Sequence, residues 1–236
     1  MKDLIDKIYK HGNKEFLELL DSRIEDNKKT FIITANPETL MYSKTDEEIF
    51  NMLNDKQNLI VPDGIAVVKA AKILKIDIKE RIAGIDICTH LLEYASAHKK
   101  KVFLFGSAQN VIDGMKKVIA NKYSGIDLLG TENGYVKDKD KVFEKIAKLK
   151  PDIVMVALGI PSQEKLIYKH LSKFKHGVFI GVGGSFDVIS TVKKRAPKLF
   201  IKLNLEWLYR IICEPKRLKR FYNNNVKFIL NIKKYK

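Results

Sequence analysis

Cysteine is nearly absent from this chain. Its two cysteines, Cys88 and Cys213, are too few for a disulfide framework, and both fall in apolar helical patterns that read as reduced core positions. Long apolar runs are absent too. No stretch approaches the roughly 20 residues that span a bilayer. The first ten residues, MKDLIDKIYK, are charged throughout, unlike a signal peptide. The expectation is therefore a cytosolic chain, with membrane association left open. Acid is in deficit, with 28 Asp and Glu against 44 Lys and Arg, a formal net charge of +16. An excess of that size favours an anionic partner, whether nucleotide, nucleic acid or membrane surface. Arginine is itself scarce: Arg23 and Arg81 are the only two before residue 195. Metal-ligand spacing is also missing, since His11, His90, His98, His170 and His176 are scattered and no CxxC occurs.

What is present is a hydrophobic fraction of 45% over 236 residues, ample for a packed core. Short apolar runs alternate with longer periodic ones. TFIIT (residues 30–34), NLIV (58–61), KVFLFG (101–106), IDLLGT (126–131), DIVMVALG (152–159) and GVFIGVGG (177–184) read as strands, several buried on both faces because they barely alternate. DEEIFNMLND, IDICTHLLEYASAHKK, NVIDGMKKVIANKY, KDKVFEKIAKL and SQEKLIYKHLSKF carry apolar residues at three- and four-residue spacing and read as helices. Strand and helix in repetition predict an α/β fold, a Rossmann-like, mostly parallel sheet with helices on both faces. No internal repeat, low-complexity segment or long linker interrupts it.

The charge is uneven. Residues 193–236 hold fourteen basic residues against two acids, Glu206 and Glu214, so the first 192 residues carry only +4 of the total. This divides the chain into a catalytic-type core over residues 1–192 and a basic, helical C-terminal appendage over 193–236, broken at Pro215. In its last helix Leu218, Phe221, Tyr222, Val226, Ile229 and Leu230 form one apolar stripe, bordered by Lys216, Arg217, Lys219, Arg220 and Lys227.

Open α/β sheets bind ligands beyond the carboxyl ends of their strands. Nearly every unusual polar residue falls there. Asp63, wedged between Pro62 and Gly64 in LIVPDGIAVV, either caps the helix that follows or faces the crevice as a general base. Asn36 in TANPE either caps a helix opened by Pro37 or orients a substrate, and Thr34 closes the strand before it. GIPSQE places Gln163 in the first turn of a helix, where free N–H groups attract anions. GVGGSFD offers Gly183, Gly184 and Asp187, but it is no GxGxxG fingerprint and does not favour NAD. Asp138 and Asp140 form the only Asp-x-Asp, and read as a solvated helix start more readily than as a metal site. The appendage arginines Arg195, Arg210, Arg217 and Arg220 either read phosphates or form a solvated face.

Taken in order, TANPE, VPDGIAVV, ERIAGIDI, GTENGY, PDIVMVALGIPSQE, GVGGSFDVIS, KRAP and LEWLYRIICEPKRLKR resemble the blocks of the WecG/TagA/CpsF glycosyltransferases, from about residue 34 to residue 220. The resemblance implies an inverting transfer of N-acetylmannosamine from its UDP donor to the 4-hydroxyl of GlcNAc on undecaprenyl diphosphate, an early step toward wall teichoic acid. A relative using another UDP-hexosamine or uronic acid in capsule or exopolysaccharide synthesis is the alternative. By position it implies Asp63 as the base, Thr34, Asn36, Arg81 and Gln163 as pocket residues, and Tyr135, Gly183, Gly184 and Asp187 beside the nucleotide. Arg210, Arg217 and Arg220 match arginines of an appendage implicated in membrane targeting and closure. No metal or other cofactor is implied. The expected partners are the UDP-sugar, the lipid-linked acceptor and an anionic membrane at the inner face of the cell membrane, with no nucleic acid; a nucleic-acid binder would leave the strand-end polar set without a use. Homo-oligomerisation stays open. Two departures stand out, Ala35 where Pro is frequent and Thr191 where Gly is common.

Overall fold

The computed structural model describes residues 1–235; the side chains of Arg217 and Arg220 also lie outside the described residues. Six strands, β1 (Thr30–Ala35), β2 (Asn58–Pro62), β3 (Lys101–Gly106), β4 (Asp127–Glu132), β5 (Ile153–Ala157) and β6 (Val178–Gly181), form one sheet in the order β2-β1-β6-β5-β3-β4. Every pairing is parallel. The four inner strands are buried almost throughout, which is why their sequences fail to alternate; β4, at an edge, is half-exposed.

Helices cover both faces. In chain order they are α1 (Lys2–Asp6), α2 (Asn13–Glu25), α3 (Pro37–Tyr42), α4 (Glu47–Asn54), α5 (Ile65–Ile73), α6 (Gly84–Ala97), α7 (Gln109–Lys122), α8 (Lys139–Leu149), α9 (Ser162–His170) and α10 (Ser185–Ile189). The tail adds α11 (Lys198–Lys202), α12 (Glu206–Cys213), α13 (Arg217–Phe221) and α14 (Lys227–Ile232). One core layer joins Phe31, Ile33, Phe103, Val154 and Phe179 to α3, α4, α5, α8 and α9. The other joins Ile32, Leu104, Met155 and Ile180 to α2, α6, α7 and α10. Each such side chain contributes about 1.5–3 kcal/mol through burial. Helix α2 lies outside the helical segments read from sequence, although Phe16, Leu20 and Ile24, spaced by four and all buried, carry its signal.

The connections fix where a ligand can sit. Strand β3 leads through α7 to β4 on one face, while its neighbour β5 leads through α9 to β6 on the other. Between strands whose connections diverge, a crevice opens at the carboxyl edge. Backbone packs tightly there: Gly106, at φ +117°, leaves room for only a hydrogen, because a Cβ would fall 2.4 Å from the Ala157 carbonyl oxygen.

Two expectations need correction. Cys88 is buried, and burial pushes its thiol up to about 12, but Cys213 is exposed and lies outside the core. The stripe read from residues 218–230 packs only in part: Phe221, Val226 and Ile229 are half-buried, Ile229 against the main core, but Leu218, Tyr222 and Leu230 are exposed, and the fully buried residues are Phe228 and Ile232. A π-helical turn at Tyr222–Val226 adds to the helical repeat and shifts the residues beyond it, Phe228 and Ile232 among them, from a 3.6-residue phase.

Candidate active site

The register pairs Ala35 with Pro62, so Asp63 and Asn36 emerge side by side beyond β2 and β1. The Asp63 N–H donates to the Ala35 carbonyl at 3.0 Å, which continues the ladder one residue past the strand. Asp63 does not cap its own helix. The N-cap of α5 is Gly64, without a side-chain cap, and Asp63 Oδ1 instead accepts the N–H of Gly84 at 3.0 Å. Gly84 is the first residue of α6, so this bond satisfies an orphan donor and sets the carboxylate at the positive end of a helix. Among the described residues no hydrogen bond engages Oδ2, and the side chain is 30% exposed. An acid neither sealed in the core nor fully solvated keeps a lone pair for a ligand.

Arg81 lies across Asp63. Its Nε donates to the Asp63 carbonyl at 2.6 Å, and its Nη2 is 3.9 Å from Asp63 Oδ1. The stronger partner of Nη2 is Glu206 of the tail, 2.6 Å from it and itself buried. Burial would lower the Arg81 pKa, and the carboxylates of Asp63, Glu206 and Asp86 more than offset it, leaving it raised. Arg195 closes the chain, bonding Asp86 at 2.6 Å and standing 4.0 Å from Glu206. Sequence reading named Arg81 and passed over Glu206. The signal was there: Glu206 and Glu214 are the only acids of a basic tail, and both form ion pairs with residues outside their own helices.

The remaining named residues are spread along the carboxyl edge of the sheet. Thr34 is buried, its Cγ2 lying under Gly84 at the start of α6. Asn36 caps α3, its Oδ1 accepting from Glu38 and Thr39 N–H at 2.9 and 3.1 Å, which leaves its amide nitrogen unspent among the described residues. Gln163 is 2% exposed and turns inward: Oε1 accepts from the N–H groups of Gly159 and Gly183, each at 3.1 Å, while Nε2 donates to Glu164 at 2.7 Å. It crosses so close to β6 that a Cβ on Gly181 would meet its amide at 2.5 Å. Glu164, unnamed by sequence, is buried with Oε2 unpartnered; burial pushes its carboxyl up to about 7, against the Gln163 bond and with the help of Glu38. Tyr135 stands exposed on the rim beyond β4, where Gly134 N–H donates to the Ser107 carbonyl at 2.8 Å. Gly184 is exposed, and Asp187 in α10 pairs with Lys193 at 3.6 Å. Arg210 is exposed on α12 and makes no ion pair among the described residues; the side chains of Arg217 and Arg220 fall outside them.

An open groove of about 550 Å³ lies between α3, the loop after β5 and the tail, lined by Glu38, Tyr42, Ile160, Lys216, Lys219 and Asn223. Asp138 caps α8 and Asp140 binds Lys169 and His170, so this Asp-x-Asp is spent on structure. Among the described residues no three His, Cys, Asp or Glu gather as metal ligands, and no helix is long and apolar enough to cross a membrane.

This geometry can be set beside known proteins. The chain is 42% identical over 206 residues to the N-acetylglucosaminyldiphosphoundecaprenol N-acetyl-beta-D-mannosaminyltransferase of Bacillus subtilis (strain 168), covering 87% of this chain and 80% of that protein. It is 39% identical over 191 residues to the protein of that name from Staphylococcus aureus (strain NCTC 8325 / PS 47), covering 80% and 74%. The profile of the glycosyl transferase WecG/TagA/CpsF family matches residues 5–236, and the chain belongs to that family.

Proposed function

We propose that this chain transfers N-acetylmannosamine from UDP-N-acetylmannosamine to the 4-hydroxyl of GlcNAc on undecaprenyl diphosphate, with inversion at the anomeric carbon. The observation that carries the reading is Asp63, anchored through Oδ1 to the Gly84 N–H and with Oδ2 unspent among the described residues, in a chain of this family. Asp63 takes the proton of the acceptor hydroxyl as that oxygen bonds to the anomeric carbon. The bond from that carbon to the diphosphate breaks on the opposite face, and UDP leaves with the electron pair. A placed base is worth roughly 10²–10⁴-fold in rate. Asn36, through its free amide nitrogen, orients the sugar beside it. Gln163 acts on the donor at one remove, by fixing the loops of Gly159 and Gly183, while Thr34 supports the first turn of α6. Tyr135, Gly184 and Asp187 border the nucleotide on the far side of the crevice.

The tail supplies the cations. Lys216 and Lys219 line the groove, and Arg210, Arg217 and Arg220 belong to the same stretch, so the departing diphosphate meets positive charge there. Leu199, Leu203, Ile212 and Leu218 are exposed among lysines on this tail, a surface suited to an anionic leaflet, with each Lys or Arg near it worth ~1 kcal/mol. The enzyme works as a peripheral protein at the inner face of the cell membrane, where the lipid-linked acceptor is presented. The test is UDP release from a panel of UDP-sugars, with and without a soluble diphosphate-linked GlcNAc. Acceptor-dependent release confined to UDP-N-acetylmannosamine is the expected result; release from another UDP-sugar alone would overturn the donor assignment.

A further inference from the structure

We propose that Glu206 is a positioning residue: it fastens the tail to the catalytic centre through Arg81 and keeps that guanidinium from closing on Asp63. The inference rests on the reading of Asp63 as the base. Arg81 Nη2 is 2.6 Å from Glu206 Oε2 and 3.9 Å from Asp63 Oδ1, so the nearer acid holds the cation outside hydrogen-bonding reach of the base. Neither side chain of the pair is loosely held. The Arg81 side chain is 17% exposed and that of Glu206 8%, and Arg81 Nε is fixed on the Asp63 carbonyl at 2.6 Å. The two partners lie 125 residues apart in sequence, so the bond forms only when α12 sits against the end of β2.

Without Glu206, the carboxylates left to Arg81 would be Asp63 and, farther off, Asp86, which Arg195 holds. A guanidinium in direct contact with a carboxylate favours its ionised form and occupies its lone pairs, both of which make a weaker base. Leaving Arg81 buried with Asp63 as its nearest carboxylate also invites it to rotate onto Oδ2, the oxygen that the reaction uses. The charged groups around Asp63 set the sign of the effect. They are Arg81, bonded to the Asp63 carbonyl, and the groups joined to it: Glu206 and Arg195 from the tail, and Asp86 in the first turn of α6. Of these, only Glu206 is bonded to Nη2 of Arg81. Tail docking thus does more than bring cations. It places one acid that sets the base free, so that an undocked tail leaves a quenched centre.

The experiment compares the full-length wild type with Glu206→Gln and Glu206→Asp, each checked for thermal unfolding and UDP binding. Breaking a charge-assisted buried bond predicts that Glu206→Gln loses roughly tenfold to a hundredfold in kcat, with the donor KM little changed. The acid limb of its kcat/KM profile should move to lower pH, and Glu206→Asp should recover much of the loss. Wild-type kcat in Glu206→Gln overturns the proposal. So does a lower kcat with an unmoved acid limb, which would make Glu206 a structural contact only. If the wild type releases UDP with no acceptor at all, the functional reading fails separately. Limited proteolysis of residues 193–216 then still decides the latch: faster cleavage in Glu206→Gln supports it, and equal cleavage overturns it.

Discussion

At the β2 end of the crevice, Asp63 gives one oxygen to a backbone N–H and keeps the other; at the β5 and β6 end, Gln163 gives its carbonyl oxygen to two backbone N–H groups and its amide to Glu164. Both are polar residues just beyond buried parallel strands. Their exposure differs, 30% for the Asp63 side chain against 2% for Gln163, and so does their use. The difference teaches that a strand-end polar residue acts on a ligand directly only if its hydrogen-bonding capacity exceeds what its own loop demands. Gln163 spends its carbonyl oxygen on two loop N–H groups and one amide N–H on Glu164, so its first use is to shape the backbone.

The largest test of this contrast lies at the open end. Asp63→Asn keeps the acceptor for the Gly84 N–H and removes the basic oxygen, so it should lower kcat by roughly 10²–10⁴-fold while UDP binding and fold persist. Near-normal turnover in a folded, UDP-binding variant would remove Asp63 from the chemistry. The converse test is Gln163→Leu, which strips the N–H groups of exposed Gly159 and half-buried Gly183 of their side-chain acceptor. Water can reach the Gly159 N–H, so the loss is closer to that of ordinary hydrogen bonds, about 0.5–1.5 kcal/mol each; denaturant unfolding should show a loss of roughly 1–3 kcal/mol, and KM for the UDP-sugar should rise. Unchanged stability with a lost kcat would mean that Gln163 touches substrate and that the contrast is wrong.

Glu164 sharpens the closed end through pH. Its folded carboxyl sits at about 7 against an ordinary 4.5. Because the folded state holds this proton more tightly than the unfolded state, its contribution to stability is full below pH 4.5 and drains away as pH rises toward 7. A displacement of that size amounts to about 3 kcal/mol. Glu164→Gln has no proton to lose. Its stability relative to wild type should therefore climb between pH 4.5 and 7 and level off above, as read from urea midpoints across that range. A flat difference would show that burial does not raise the Glu164 carboxyl above its unfolded value.

How much of this the sequence carried depended on whether local pattern or long-range contact decided it. The six strands and the helices α4 to α9 follow from apolar runs and periodicity, because burial on both faces imposes them locally. Asn36 as a cap was legible for the same reason, with Pro37 at the first helical position. Asp63 as a cap of α5 was the natural local expectation, and it failed because a residue 21 positions away, Gly84, offers the N–H. Glu206 and Glu164 were missed because their roles exist only through partners brought by folding. The phase of the last helix beyond residue 226 was shifted by one π turn, which no hydrophobic spacing announces.

The smallest effect concerns Thr191, just beyond the closed end, where the chain leaves α10 for the tail. Its φ is +64°, in the left-handed region where a β-branched side chain crowds its own backbone. The N–H of Thr191 donates to the Val188 carbonyl and that of Lys193 to the Asp187 carbonyl, so the turn is held by backbone bonds that do not need the threonine side chain. Replacing Thr191 with Gly removes a strain of about 1–2 kcal/mol and adds chain entropy to the unfolded state, worth up to about 1 kcal/mol in the opposite sense. The expected net is a stabilisation of about 0.5–1 kcal/mol in denaturant melts, with kcat unchanged. Stability gained together with a fall in kcat would show that the strained turn helps to aim the tail, and would tie the closed end of the crevice to the docking of Glu206 at the open one.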